Sequence, residues 1–72
     1  MNYTDLMNCL LNDLRRRVRS GEITERKLAQ LAGLSQPHLH NVLRAKRQLS
    51  PARADVILRK LGLDLEDLIR RK

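Results

Sequence analysis

The apolar residues of this chain recur at the spacing of helices, and no stretch of useful length alternates between apolar and polar residues as a strand would. One local arrangement occurs four times: an apolar residue, a capping side chain, and a second apolar residue four positions after the cap. The copies are Ile23-Thr24-Leu28, Leu34-Ser35-Leu39, Leu49-Ser50-Ala54 and Leu63-Asp64-Leu68. Each is a hydrophobic staple around an N-cap and therefore predicts the start of a helix.

With an N-terminal helix added, the pattern predicts a single all-α domain over residues 1–72, with helices at about 5–19, 25–32, 36–44, 51–61 and 65–71. Thr4 is the expected cap of the first helix. Gly21, Gly33 and Gly62 are expected to end the first, second and fourth helices, because glycine takes the left-handed conformation at little cost. The residues expected to face the core are Leu6, Met7, Leu10, Leu11, Leu14, Val18, Leu28, Ala29, Leu31, Ala32, Leu39, Val42, Leu43, Ala54, Ile57, Leu58 and Leu61.

Several acidic side chains fit helix capping and the helix dipole better than the alternative, a catalytic carboxylate pair. They are Asp55, Asp64, Glu66 and Asp67. Within the first helix, Asp13 is placed to pair with Arg16 or Arg17. Arg15, Arg16 and Arg19 face away from the apolar stripe of that helix, and we expect most of them to lie outside any binding site.

The segment 24–44 predicts two short helices joined at a glycine. Ala29 is small where two steeply crossing helices approach each other, and Gly33 lets the chain turn sharply between them. Two structures use these parts: an ordinary αα corner, and a helix-turn-helix that places its second helix in the major groove of DNA. The spacing favours the second.

The segments TERKLAQLAGLSQ at 24–36 and LRKLGLDLEDL at 58–68 resemble the helix-turn-helix proteins of the Cro and phage-repressor (XRE) family. The resemblance spans about residues 10–69, and its motif rests on Leu28, Ala29, Gly33, Leu39 and Val42. It implies a compact five-helix domain of the lambda-repressor type, with the helix-turn-helix formed by helices 2 and 3. It also implies binding to operator DNA as a dimer.

Three positions depart from the family's usual pattern. Glu25 stands where the family often has a glutamine that touches phosphate, and we expect it to serve the dipole of the second helix instead. Ala45 replaces the usual glycine after the third helix, so the turn before Lys46 is expected to have a different shape. Pro37 is unusual in the third helix but is tolerated in a first turn.

The polar side chains of the third helix share one face, opposite its apolar residues. Gln36 and Asn41 can each bind adenine through two hydrogen bonds, and Pro37 offers an apolar surface to a thymine methyl group. His38 and His40 are further candidates for base contact. The alternative is that the whole polar face of the third helix is only solvated and binds no DNA. A metal site from the two histidines is not expected, because residues two apart on a helix point to different sides.

Phosphate contacts are expected around this face, from both ends of the third helix and from the start of the fourth, where free amide groups favour an anion. The candidates are Arg26, Gln30, Ser35, Arg44, Lys46, Arg47, Ser50 and Arg53. A net charge of +7 supports a polyanionic partner in general, whether nucleic acid or acidic lipid.

The composition narrows the classes of protein to which the chain could belong. The lone cysteine, Cys9, excludes an internal disulfide and leaves no cysteine cluster for zinc. No apolar run approaches the length of a membrane span, and the opening residues do not resemble a signal peptide, so we expect a cytoplasmic protein. We expect no cofactor, no small-molecule ligand and no enzymatic activity, because no nucleophile–base pair or phosphate-binding loop is present.

The sequence therefore predicts a sequence-specific regulator, most simply a repressor, that binds double-stranded DNA as a homodimer. Val56, Leu65 and Ile69 are the expected dimer contacts. Two alternatives stay open: the antitoxin of a toxin–antitoxin pair, which would also have a toxin as partner, and a protein-interaction module that does not bind DNA.

Overall fold

A computed structural model describes residues 2–63 of the chain. Within this range the protein has four α-helices and no strand: α1 (Tyr3–Arg19), α2 (Glu25–Ala32), α3 (Gln36–Leu43) and α4 (Pro51–Leu61). The all-α prediction is confirmed, and the bounds of α2 and α4 agree with the sequence pattern. The predicted fifth helix lies outside the described residues, as do Leu65 and Ile69.

Three of the predicted N-caps are confirmed. The side-chain oxygens of Thr24, Ser35 and Ser50 each accept a hydrogen bond from the amide three residues later, at 3.0, 3.2 and 3.2 Å. Each cap satisfies an amide that has no partner inside its helix, and so fixes where that helix begins.

The predicted cap of α1 is wrong. The cap is Asn2, whose Oδ1 accepts from the Asp5 amide at 2.9 Å, while a carboxylate oxygen of Asp5 accepts from the Asn2 amide at 3.4 Å. This reciprocal capping box satisfies two amides at once. Thr4 cannot form one, because Met7 stands three residues after it and has no side-chain group to accept a strong hydrogen bond from the amide of the cap.

All four described helices end in the same backbone turn, with a left-handed residue one or two positions after the last helical residue. Gly21, Gly33 and Gly62 occupy this position at φ +82°, +70° and +68°, as predicted. Ala45 occupies it after α3 at φ +61°. The expectation of a differently shaped turn there is therefore wrong.

Two backbone hydrogen bonds explain why Ala45 takes this conformation. Its own amide donates to the Val42 carbonyl at 3.0 Å, and the Lys46 amide donates to the Asn41 carbonyl at 2.8 Å. This Schellman pattern satisfies two carbonyls that the end of a helix would otherwise leave without a partner. The turn also ends α3 at Leu43, one residue before the predicted end, with Arg44 as the C-cap.

The core forms where α2 packs against α3 and α4, and where α1 packs against α3. Its buried residues are Leu10, Leu11, Leu14, Leu28, Ala29, Ala32, Leu39, Val42, Leu43, Leu49, Ala54 and Ile57. Six residues predicted to be inside are only half-buried: Leu6, Met7, Val18, Leu31, Leu58 and Leu61. The pattern overestimates their burial because a small domain has too few elements to cover every apolar stripe completely.

A charged cluster joins α1 to the loop that follows it. Asp13 is buried and bonds Arg16 and Arg17, each at 2.7 Å, so both predicted pairings occur. Arg17 also bonds Glu22 at 2.6 Å. The hydrogen bond and charge of Asp13 raise the pKa of Arg16, which holds that side chain in its charged form. Cys9, on the same helix, is half-buried and packs against the core.

Candidate nucleic-acid interface

The unit formed by α2, the turn after it and α3 is held together at its centre by small residues. Ala29 is buried, and its carbonyl accepts a hydrogen bond from the Leu34 amide at 2.9 Å. Gly33 between them is left-handed, as its position requires. A guanidinium nitrogen of Arg53, from α4, donates to the Ala32 carbonyl at 3.1 Å and so braces the turn from outside.

The third helix is anchored along one side and open along the other. Leu39 and Val42 are 0 % exposed and Leu43 is 6 % exposed. On the opposite side the structure leaves Gln36, Pro37 and His40 exposed, with His38 and Asn41 half-buried. All five base-contact candidates thus lie on a helix that is fixed to the core and can present them to a partner.

The two histidines line different clefts, as the helical geometry predicted. His40 faces a cleft of about 510 Å³ that is lined from α1, α2 and α3. His38 faces a second cleft of about 320 Å³ between the turn and the start of α4. Among residues 2–63, no group of three or more histidine, cysteine or acidic side chains could hold a metal ion.

Glu25 and His40 form a hydrogen-bonded pair across the two helices, which the sequence pattern did not predict. Nδ1 of His40 lies 3.1 Å from one carboxylate oxygen of Glu25 and 3.4 Å from the other. The two residues are 15 positions apart, so no local spacing rule relates them. The fold alone brings together the first residue of α2 and the exposed face of α3.

Arg15 was expected to face away from the core but contributes to the site's framework. Its Nε donates to the carbonyl of Leu43 at the end of α3, and its Nη1 donates to Oδ1 of Asn12 at 2.9 Å. One arginine of α1 therefore ties that helix to the carbonyl end of α3, where a positive charge also suits the helix dipole.

The phosphate-contact candidates lie on α2, at the two ends of α3, in the loop after it and at the start of α4. All of them are exposed in the free protein: Arg26, Gln30, Ser35, Arg44, Lys46, Arg47, Ser50 and Arg53. Ser35 and Ser50 already accept hydrogen bonds as helix caps, and Arg53 braces the turn. Among these candidates, Arg26, Arg44, Lys46 and Arg47 therefore carry positive charge that is not engaged by another described side chain.

Two eight-residue helices, a left-handed glycine between them and a polar outer face define a helix-turn-helix protein. A family model described as helix-turn-helix matches residues 14–68. The chain belongs to this family, of the Cro and phage-repressor type, and the resemblance found in the sequence is confirmed. The family is one of DNA-binding regulators, and DNA is its general partner.

Neither the curated proteins nor the solved structures include a match to the chain. No helix within residues 2–63 has the length and apolar character needed to cross a bilayer.

Proposed function

We propose that the protein is a transcriptional repressor that binds a palindromic operator as a homodimer, with α3 in the major groove. The observation that carries this proposal is the division of α3 between a fully buried apolar side and an exposed polar side. A rigid helix that offers polar groups outward can read the edges of bases, because the major groove admits an α-helix.

The residues near the start of α3 would read the bases. Gln36 and Asn41 each carry an amide that can bind adenine through two hydrogen bonds, and Pro37 would contact a thymine methyl group. His40 and His38 would contact neighbouring bases on either side. No covalent chemistry is involved, since repression would follow from occupation of the site.

Phosphates on both sides of the groove would fix the position of the helix. Lys46 and Arg47 follow the turn after α3, and Ser50 and Arg53 lie at the start of α4, where the positive end of the helix dipole attracts an anion. On the other side, Arg26 and Gln30 of α2, with Ser35 and Arg44 at the two ends of α3, would contact the backbone.

Dimerisation follows from the size of the reading surface. The eight residues of α3 span about 12 Å, so one copy reads only a few base pairs. Two copies on half-sites about 34 Å apart would multiply affinity and selectivity. Half-buried Val56 on α4 is the candidate contact within the described residues, with Leu65 and Ile69 proposed alongside it. We propose a cytoplasmic location, where such an operator would be accessible.

Selection of bound duplexes from a random pool tests this function directly. The expected result is an enriched site with two symmetric halves. Gln36→Ala and Asn41→Ala should each relax the preference at particular base pairs by about 1–3 kcal/mol. Arg47→Ala should weaken binding to every sequence and lower the salt slope by about one.

Lys60→Ala serves as the matched control, because this exposed lysine lies at the far end of α4 from Ser50. It should leave affinity and salt slope nearly unchanged. An equal loss for Gln36→Ala on operator and scrambled duplexes would contradict base reading. Binding that does not respond to salt would instead favour a protein-interaction module, and co-purification of a stable toxin partner would favour an antitoxin.

A further inference from the structure

The imidazole of His40 is held at one nitrogen and open at the other. Its Nδ1 lies within hydrogen-bond distance of both carboxylate oxygens of Glu25, at 3.1 and 3.4 Å. The side chains are 47 % and 29 % exposed, so the pair lies at the surface of the α3 face rather than in the core. Within residues 2–63, the hydrogen bonds of the His40 ring are to Nδ1 and none engages Nε2.

The chemistry of the carboxylate fixes where the ring proton lies. A carboxylate has only acceptors, so a hydrogen bond to Nδ1 requires the proton on Nδ1. A neutral imidazole carries a single ring proton, which leaves Nε2 as a bare acceptor. The partner of the first nitrogen therefore sets the hydrogen-bonding character of the second.

Glu25 is suited to this task by its surroundings. Among the described residues that line the cleft around His40, it alone has an acceptor side chain. The charged groups of the other helices there are Arg15 and Arg19 from α1 and Arg44 from α3. Guanidinium groups only donate, so none of them can hold Nδ1–H.

We propose that Glu25 is a positioning residue that determines which base His40 reads. With Nδ1–H bound to Glu25, Nε2 can only accept a hydrogen bond. It therefore selects a base with an exposed amino group in the major groove, the N4 amino group of cytosine or the N6 amino group of adenine, and disfavours the acceptor edge of guanine. This proposal rests on the proposed function, because it assumes that α3 enters the major groove.

Nitrogen NMR of the full chain without DNA tests the first step. At about pH 8, where histidine side chains are ordinarily neutral, the His40 signals should show the proton on Nδ1. Glu25→Gln should abolish this preference, since an amide can donate to Nδ1 as well as accept from it. Glu22→Gln removes the same charge from a residue that bonds Arg17 instead, and should leave the signals unchanged. A wild-type ring protonated on Nε2 would overturn the proposal.

Selection of duplexes tests the second step. His40→Ala identifies the base pair that this residue reads, and there the wild type should prefer one base pair in one orientation over the others by about five- to tenfold. Glu25→Gln should reduce that preference below about twofold, with the pairs assigned to Gln36 and the Glu22→Gln control unaffected.

The outcomes separate this proposal from the function on which it depends. If an operator is enriched but His40→Ala changes no base pair, or Glu25→Gln leaves the preference at that pair unchanged, the role of Glu25 is refuted while the repressor function stands. If no sequence is enriched at all, both the repressor function and the proposed role of Glu25 are refuted.

Discussion

Replacing Ala45 with glycine should stabilise the protein, an unusual outcome for a substitution that adds no contact. Ala45 occupies the left-handed position after α3 at φ +61°, where the three other described helices carry glycine. Its side chain is exposed. The methyl group therefore raises the conformational energy of the backbone, and no buried contact of the side chain offsets this cost.

The magnitude follows from two opposing terms. An L-residue in the left-handed region costs about 1–2 kcal/mol relative to glycine. Glycine also stabilises the unfolded chain by about 0.4–1 kcal/mol, because it increases the conformational freedom of that chain. This effect reduces the net gain in stability. We expect Ala45→Gly to raise the free energy of unfolding by about 0.5–1 kcal/mol, which corresponds to a Tm increase of roughly 2–8 °C.

Urea unfolding followed by circular dichroism measures the effect, and the midpoint should rise while the m-value stays constant. Gly21→Ala is the matched reverse change, because Gly21 takes φ +82° and a Cβ built there would meet nothing within 4 Å. It should lower the stability by about 0.5–1 kcal/mol for the same backbone reason.

A destabilised Ala45→Gly variant would refute this reasoning, because it would mean that the turn after α3 is not left-handed in solution. A raised m-value would point instead to an effect on the unfolded chain. Because the amides of Lys46 and Arg47 both donate to the Asn41 carbonyl through this turn, at 2.8 and 3.3 Å, its geometry also places two of the proposed phosphate contacts.

Three further predictions concern the framework of the helix-turn-helix, each measured by urea unfolding. Gly33→Ala should lower the free energy of unfolding by about 1–2 kcal/mol, more than Gly21→Ala, because its Cβ would lie 2.5 Å from Nη1 of Arg53 and would displace this side-chain end from the Ala32 carbonyl; equal costs would show that the bond from Arg53 to Ala32 contributes nothing. Asp13→Asn should lower the free energy of unfolding by about 2–3 kcal/mol, because it breaks buried hydrogen bonds between charged groups. Glu22→Gln, at an exposed residue, should lower it by less than about 1 kcal/mol. Arg15→Met keeps the apolar stem but leaves the Leu43 carbonyl without its donor, and should cost about 1 kcal/mol; an unchanged midpoint would show that this bond contributes nothing.

Local rules were sufficient for most of the helix boundaries. The staples around Thr24, Ser35 and Ser50 predicted three helix starts, because a cap and its amide lie three residues apart and the relation is contained in the sequence. The cap of α1 does not follow from a staple, since Thr4 has the polar Asn8 four positions later, and the helix begins instead at the reciprocal bonds between Asn2 and Asp5. Ala45 shows the converse: the two carbonyls that the turn satisfies fix its left-handed backbone, although alanine is not the residue typical of that position.

The contacts that hold the candidate site could not be predicted in this way. They join Arg15 to Leu43, Arg53 to Ala32, and His40 to Glu25, across 28, 21 and 15 positions of sequence. Which exposed arginine or histidine meets which carbonyl or carboxylate depends on how the helices pack, and the polar pattern is compatible with many such pairings. The polar face of α3 was predictable, whereas its supports were not.

Each of these three long-range contacts has at least one partner in the helix-turn-helix, that is, in α2, in α3 or in the turn between them. A helix of eight residues is too short to be stable alone in water, so its position must come from tertiary contacts. Arg15 of α1 holds the carbonyl end of α3, Arg53 of α4 holds the turn, and Glu25 connects α2 to the exposed face. The proposed base specificity would therefore be a property of the whole domain: Arg15, Arg53 and Glu25 fix where α3 lies, and under the proposal Glu25 also sets what the histidine of that helix can accept.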